Sequence, residues 1–275
     1  MFKQRVMQLF PFLLMLRKVQ RRLFFYAKMC FDGNCYAQTK PVESLPICVY
    51  EASTSLINPN TGFDMKYQEN KVFNLRLAAK PINGIILQPQ ETFSFWQLVR
   101  RVNKSAFKEG LSVEYGKLVT VKGGGLCHLS NFLFWMFLHT PMTIVERHPH
   151  RLKDFPSPDE NDPDGVDATV SEGWLDLKVK NETDLTYQIE LEFDGKYLCG
   201  RILASKALPN RYEVINKDKM YFKEGGKLFE RVSVYRQSLD VQSGLVRSEE
   251  RLHTDVFEIG YSLSDDAEFQ EAKVS

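Results

Sequence analysis

Gly123-Gly124-Gly125-Leu126-Cys127-His128-Leu129-Ser130-Asn131-Phe132-Leu133-Phe134-Trp135-Met136-Phe137-Leu138 is the stretch that decides the architecture. Three glycines allow the backbone a sharp turn and a close approach to other atoms. The run from Leu129 to Leu138 is then too continuously apolar for a surface helix, so it predicts a central helix buried on most sides. Thr140-Pro141 ends it. A cysteine therefore stands where a glycine loop becomes a buried helix.

Working outward on the N-terminal side, Val72, Leu75, Ala78 and Ala79 predict a helix over Glu69 to Lys80. Pro81 forbids its continuation and Asn83-Gly84 supplies a turn. Ile85 to Leu87 reads as a short buried strand, followed by a turn at Pro89 and Glu91 and then Phe93-Ser94-Phe95-Trp96. On the C-terminal side, Thr143 to Val145 reads as a strand leading into Glu146-Arg147-His148-Pro149-His150. Phe155 to Gly165, with three prolines among acidic residues, reads as a loop.

Beyond it the period changes to two. Trp174 to Val179 largely alternates, and Tyr187 to Phe193 and Lys196 to Ile202 flank the hairpin signal Asp194-Gly195. Tyr212 to Ile215, Lys227 to Leu239 and Arg247 to Tyr261 continue as strands, with turns at Gly225-Gly226 and Ser243-Gly244. The fold class is α+β: a buried central helix after a glycine-rich loop, mixed with antiparallel strands and a strand-rich C-terminal part. The organisation reads as a basic segment and looser connecting stretch over 1–60, a core domain over 61–205 and a strand-rich extension over 206–275.

Composition narrows the function. The 36 basic and 35 acidic residues nearly cancel, so no global field favours nucleic acid. Cys30, Cys35, Cys48, Cys127 and Cys199 form an odd, irregularly spaced set, a poor disulfide framework. They read as reduced thiols, which fits a cytoplasmic protein. Lys3 and Arg5 precede the apolar stretch Leu9 to Leu16, and Arg17, Lys18, Arg21 and Arg22 follow it. A second basic cluster in place of a small-residue cleavage site is unlike a secretory signal. The stretch is also short of the ~20 apolar residues of a membrane span. Its readings are a basic amphipathic helix packed on the domain, or one lying on the inner membrane face.

Cys127 is the candidate for chemistry. A thiol attacks only as thiolate, and the unsatisfied N–H groups of a helix start lower its pKa. The glycine N–H groups, at Gly123, Gly124 and Gly125, are candidate donors to an oxyanion. Against this, a glycine run is commonly a flexible turn and a cysteine opening an apolar helix a small buried hydrophobe. Of the histidines, His128 is poorly aimed because helix neighbours point about 100° apart. His139 ends the apolar helix as cap or core, and His253 lies far along the chain. His148 and His150, beside Arg147 and Glu146, are better placed, and Asp167 can orient an imidazole. Metal binding by Cys127, His128, His148 and His150 remains an alternative whose spacing matches no familiar zinc pattern; no metal or other cofactor is expected.

The ordered set Thr61-Gly62-Phe63-Asp64-Met65, Tyr67 to Leu75, Glu91 to Trp96, Gly123 to Cys127, Glu146 to His150 and Gly165 to Leu177 resembles the VanW family. That family carries Gly-Gly-Gly-x-Cys-Gln with Ser after a short gap; this chain keeps the glycines, Cys127 and Ser130, with His128 in place of Gln. The family's steadiest histidine maps to His150, with Arg151 where Ser is common, and Gln90 stands where Pro-Gly-Glu has its glycine. The resemblance implies an accessory role in glycopeptide resistance, acting on peptidoglycan stem peptides or precursors. It implies an L,D-transpeptidase-like cysteine acyl transfer, with Cys127 as nucleophile, the oxyanion on N–H groups of Gly125, Leu126 or Cys127, His150 as base, Asp167 behind it, and Ser130 and Arg147 beside the substrate. The alternative from another class is a non-catalytic binding module that keeps the fold only.

Overall fold

The computed structural model describes residues 11–114, 117–153 and 164–262. Among these, four α-helices and fourteen strands form the α+β fold, with the strand-rich part C-terminal as expected. Helix α1 spans Pro11–Met29, α2 Met65–Ile82, α3 Phe95–Val99 and α4 Leu126–Leu138. The mixed sheet β1-β4-β9-β7 joins Cys35–Tyr36, Glu91–Ser94, Lys178–Lys180 and Thr143–Glu146. The antiparallel sheet β2-β11-β10-β3 joins Ile47–Ser55, Tyr197–Ala204, Tyr187–Phe193 and Ile86–Leu87. Strands β12 (Asn210–Glu224), β13 (Lys227–Asp240) and β14 (Val246–Ile259) form a long meander, edged by β8 (Leu152–Lys153) in parallel. Strands β5 (Glu109–Glu114) and β6 (Lys117–Lys122) are a hairpin leading into the glycine run.

The core gathers on α4. Leu129, Phe132, Leu133, Phe134, Met136, Phe137 and Leu138 are all buried, which is why this helix shows no polar face. The β2-β11-β10-β3 sheet lies directly on it. A Cβ at Gly200 of β11 would come within 2.5 Å of the Met136 sulfur and 2.7 Å of the Phe132 ring, so the bare glycine sets the separation.

Three expectations change. The stretch Tyr36 to Asn60 is more than a connection: it contains β2, which pairs along β11 from Tyr197↔Ser55 to Ala204↔Ile47. Its Tyr50 stacks on His139, ring centroids 3.8 Å apart, closing the C-terminal end of α4. Helix α2 extends beyond Glu69 to Lys80 at both ends. Asp64 caps it by accepting from Lys66 N at 2.9 Å, and Pro81 lies inside its last turn. The cost of Pro81 is only the one bond that its missing N–H cannot donate, and Asn83 N–H still reaches Ala79 O at 2.8 Å. Finally, the alternating run Trp174 to Val179 is a strand only from Lys178. Asp176 turns inward instead and accepts from Ser94 Oγ at 2.5 Å, Trp96 N at 3.1 Å and its own neighbour Leu177 N at 3.0 Å. Buried N–H groups claimed by a side chain cannot join a ladder. Most of the loop expected over Phe155 to Gly165 lies outside the described residues.

Helix α1 packs against the domain through Met29, which is buried, and through Tyr26, which donates to Glu172 at 2.8 Å. Met15, Leu16, Val19, Leu23 and Phe24 stay exposed beside its basic residues. No described helix is long and apolar enough to cross a membrane.

Gln90, the residue in place of the family's glycine, has φ +68, in the left-handed region. A side chain there is strained by ~1 kcal/mol or more, partly offset by the chain entropy that glycine would lose. Gln90→Gly is expected to stabilise the fold by about 0.5–1 kcal/mol. A denaturant midpoint unchanged or lowered by the substitution would contradict this.

Candidate active site

Gly125 is the N-cap of α4, with φ +92, and no side chain caps the helix. Cys127 is the second residue of its first turn. The N–H groups of a first turn have no partner within the helix, and the dipole's positive end sits among them. Gly123 N–H donates to Lys108 O at 2.9 Å and Gly124 N–H to Val121 O at 3.0 Å. These two groups are therefore spent on the turn and do not serve as oxyanion donors, contrary to expectation. The donors left to an oxyanion are those of Gly125, Leu126 and Cys127, for which no acceptor occurs among the described residues.

The glycine run is a tightly held loop. Asn74, fully buried on α2, donates to Lys108 O and Gly124 O, both at 3.0 Å, and accepts from Lys108 N at 2.8 Å. Gly124 packs on Gly110 of β5, backbone against backbone. Neither contact was anticipated from sequence. The available signal was an Asn beside the core-facing Leu75, Ala78 and Ala79 of an amphipathic helix, which has to find polar partners inside.

The structure brings Cys127, His150 and Asp167 together. Asp167 accepts from His150 Nδ1 at 2.7 and 2.9 Å and also from the His150 backbone N–H. That leaves Nε2 of the ring free of Asp167, and Cys127 lies close enough to act electrostatically on the imidazole. The sulfur also lies 3.8 Å from Val170 O. Burial alone lowers the His150 pKa, but the bonds to Asp167 and the nearby Cys127 outweigh it and push it up to about 11. Burial likewise raises Asp167, but the His150 bonds and the Arg147 charge override that and hold it below the usual carboxylate range. The site thus favours an imidazolium held by the Asp167 carboxylate. His150 is 27% exposed, enough for a substrate to reach it.

Other expected site residues have structural duties. Ser130 is fully buried, donating to Ala168 O at 2.5 Å, and it anchors the Asp167 segment onto α4. Asn131 reinforces that join, accepting from Ala168 N at 2.7 Å. Arg147 is spanned by Asp255 of β14, with Nη1 at 2.9 Å and Nη2 also in contact, while its Nε donates to Asp167 O. A guanidinium clamped between two segments is not free to hold a substrate, so neither Ser130 nor Arg147 is placed as the resemblance implied. Instead, Arg147 ties the C-terminal meander to the loop that carries His150.

The remaining histidines point elsewhere. His128 faces Thr54 Oγ1 at 3.2 Å, and burial with the nearby Lys71 charge lowers its pKa to about 3. His148 reaches Glu146 at 3.1 Å, and His253 Nε2 lies 3.0 Å from Gly165 O. Of the four candidate metal ligands only Cys127 and His150 come together, while His128 and His148 are engaged elsewhere; no group of three or more side chains that could hold a metal ion occurs among the described residues.

Comparison with known proteins adds the lineage. A family model described as "VanW like protein" matches residues 70–203, which include the whole cluster. The vancomycin B-type resistance protein VanW of Enterococcus faecalis (strain ATCC 700802 / V583) is 48% identical over 273 residues, 99% of each chain. The uncharacterized protein YoaR of Bacillus subtilis (strain 168) is 30% identical over 166 residues, 60% of this chain and 53% of its own. No solved structure matches. With near-complete coverage at that identity, the chain belongs to the VanW family.

Proposed function

We propose that this protein plays an accessory role in vancomycin resistance as a thiol-dependent acyl transferase, acting on peptidoglycan stem peptides or their precursors. The observation that carries this reading is the Cys127–His150–Asp167 arrangement at the start of a buried helix. The role in resistance rests on likeness to the Enterococcus protein of that name.

In this reading the Cys127 thiolate attacks the carbonyl of an amide between an L- and a D-centre. A C–S bond forms and the carbonyl π electrons move onto oxygen, where the free N–H groups of Gly125, Leu126 and Cys127 receive them. His150, held in one tautomer by Asp167, delivers its proton to the departing nitrogen as the C–N bond breaks. The thioester is then resolved by an acceptor amine, giving a cross-link, or by water, giving a trimmed peptide. His150 takes a proton from the incoming nucleophile, so the cycle closes with no external oxidant or reductant.

Incubation with muropeptides, read by mass spectrometry, tests this. The wild type is expected to yield cross-linked or trimmed species and an adduct on the Cys127 peptide, both absent from Cys127→Ala. Wild type and Cys127→Ala behaving alike would instead support a binding module that keeps the fold without turnover.

A further inference from the structure

Lys71 is a charged residue packed on the cap of the helix that carries the thiol, and neither the core nor the acyl-transfer step uses it. It projects from the first half of α2, and its stem lies against Gly125: a Cβ there would come 3.0 Å from Lys71 Cβ and closer still to Cγ. Its charge also reaches His128. Lys71 therefore packs against the N-cap residue of α4 and its charge is felt one turn into that helix. It is only partly exposed, and among the described residues its ammonium meets no carboxylate and no hydrogen-bond acceptor.

The charge inventory makes this unusual. The N-terminal end of α4 contributes about half a positive charge. The His150 imidazolium adds another, and Asp167 is committed to it by ring and backbone bonds. Lys71 is a further cation at this end of α4 with no carboxylate partner among the described residues, and burial lowers its pKa to about 8. A lone buried charge destabilises a fold by several kcal/mol unless something pairs with it. Arrangements that violate local electrostatics in this way mark ligand sites.

We infer that Lys71 is a specificity-determining residue that pairs with a free carboxylate on the substrate, beside the amide that Cys127 attacks. The carboxylate that fits is the α-carboxylate of the residue whose amine leaves, because a single carbon separates it from the scissile nitrogen. The site then takes peptides ending in a free acid one residue past the cleaved bond and rejects their amides. This inference rests on the reading of Cys127 as the reacting thiol. Lys71 acts by holding the substrate's charge and takes no part in bond making.

Two alkylating reagents of one shape and different charge separate the two ideas. Iodoacetate carries the carboxylate and iodoacetamide its neutral amide, and modification of the Cys127 peptide reports each rate. Normalised to a free thiol in solution, the iodoacetate-to-iodoacetamide ratio at Cys127 is expected to be at least about tenfold higher in the wild type. Lys71→Met keeps the stem against Gly125 and is expected to bring the ratio down to that of the free thiol. Lys71→Arg is expected to restore it. The preference should fade as pH rises past about 8, where Lys71 loses its proton. A ratio unchanged by Lys71→Met overturns the inference, as does an equal fall in both rates, which would assign Lys71 to the thiol itself. Slow reaction with both reagents would count against the reacting thiol, not against Lys71. A second measurement is independent of that thiol: calorimetry on Cys127→Ala with N-acetyl-L-Lys-D-Ala and with its C-terminal amide. The acid is expected to bind at least about tenfold tighter, a difference lost in the Lys71→Met double variant. Equal affinity for acid and amide, or binding of neither, overturns the proposal.

Discussion

Replacing His150 with Gln is expected to slow iodoacetamide modification of Cys127 at pH 7 by about 10- to 100-fold, leaving the other four cysteines unchanged. Glutamine keeps much of the ring's volume and polarity but carries no charge, so the thiolate loses its cationic partner. The pH profile is the sharper readout. The His150 pKa is raised from its ordinary 6.5 to about 11, so the imidazolium persists throughout neutral and mildly alkaline conditions. The wild-type rate is therefore expected to exceed that of His150→Gln throughout pH 7 to 9, the gap closing only as the imidazolium is lost toward pH 11.

Linkage gives the companion effect on stability. A group whose folded pKa is raised contributes stability that is fully present below its unfolded value and is lost as pH climbs through the folded one. The His150 contribution is thus complete below about pH 6.5 and disappears toward pH 11. Wild-type unfolding midpoints should fall over that alkaline range more steeply than those of His150→Gln. Asp167→Asn should lie between the two in alkylation rate, because it keeps hydrogen bonding to the ring but removes the charge behind it. Parallel pH–rate profiles for wild type and His150→Gln would rule out the ion pair as the source of reactivity.

The second large effect belongs to Gly124→Ala, a change of one methyl group. The new Cβ would lie 2.8 Å from Leu111 O and nearer still to the Gly110 carbonyl. Both are backbone atoms in the β5–β6 hairpin, so no side-chain rotation can relieve the clash. The loop has to move away from β5, and Asn74 then loses its bond to Gly124 O. Overpacking costs about 1–3 kcal/mol, and a buried polar group left without its partner about 1–3 more. The expected outcome is a loss of roughly 2–6 kcal/mol in a denaturant titration, with Cys127 displaced and its selective alkylation gone. Gly110→Ala should behave similarly, since its Cβ would meet Gly124 O at 2.5 Å. Gly226→Ala is the control: it has open space around it and bears only the cost of a positive φ. If Gly124→Ala were as mild as that control, the loop would be flexible and the packed description of the site incorrect.

Much of the fold was legible because its signals are local. A continuous apolar run from Leu129 to Leu138 can only be a buried helix or strand, and its length decides for helix. Asp194-Gly195 and Gly225-Gly226 announce hairpins because positive φ is cheap for glycine, and Gly195, Gly225 and Gly226 do adopt it. The same locality misled over Trp174 to Val179. Alternation there predicted a strand, while the N–H groups a ladder would need are taken by side chains, that of Leu177 by Asp176 and that of Asp176 by Glu146. Pro81 stood as a barrier in sequence but proved cheap in the last turn of α2.

For the site, the sequence by itself determined the placement of Cys127 at a helix start and the closeness of His150 to polar and charged neighbours. Those follow from residue types at short spacing. Only the tertiary structure decided which histidine meets the thiol and which glycine N–H groups remain free. It alone showed Arg147 held by Asp255, a residue 108 positions away, and Lys71 set against Gly125 from another helix. Hydrogen bonds and charge pairs act over a few ångströms of space, whatever the distance along the chain. A residue type advertises what it can bond to, but its partner is chosen by the packing of α2, α4 and the C-terminal meander around it.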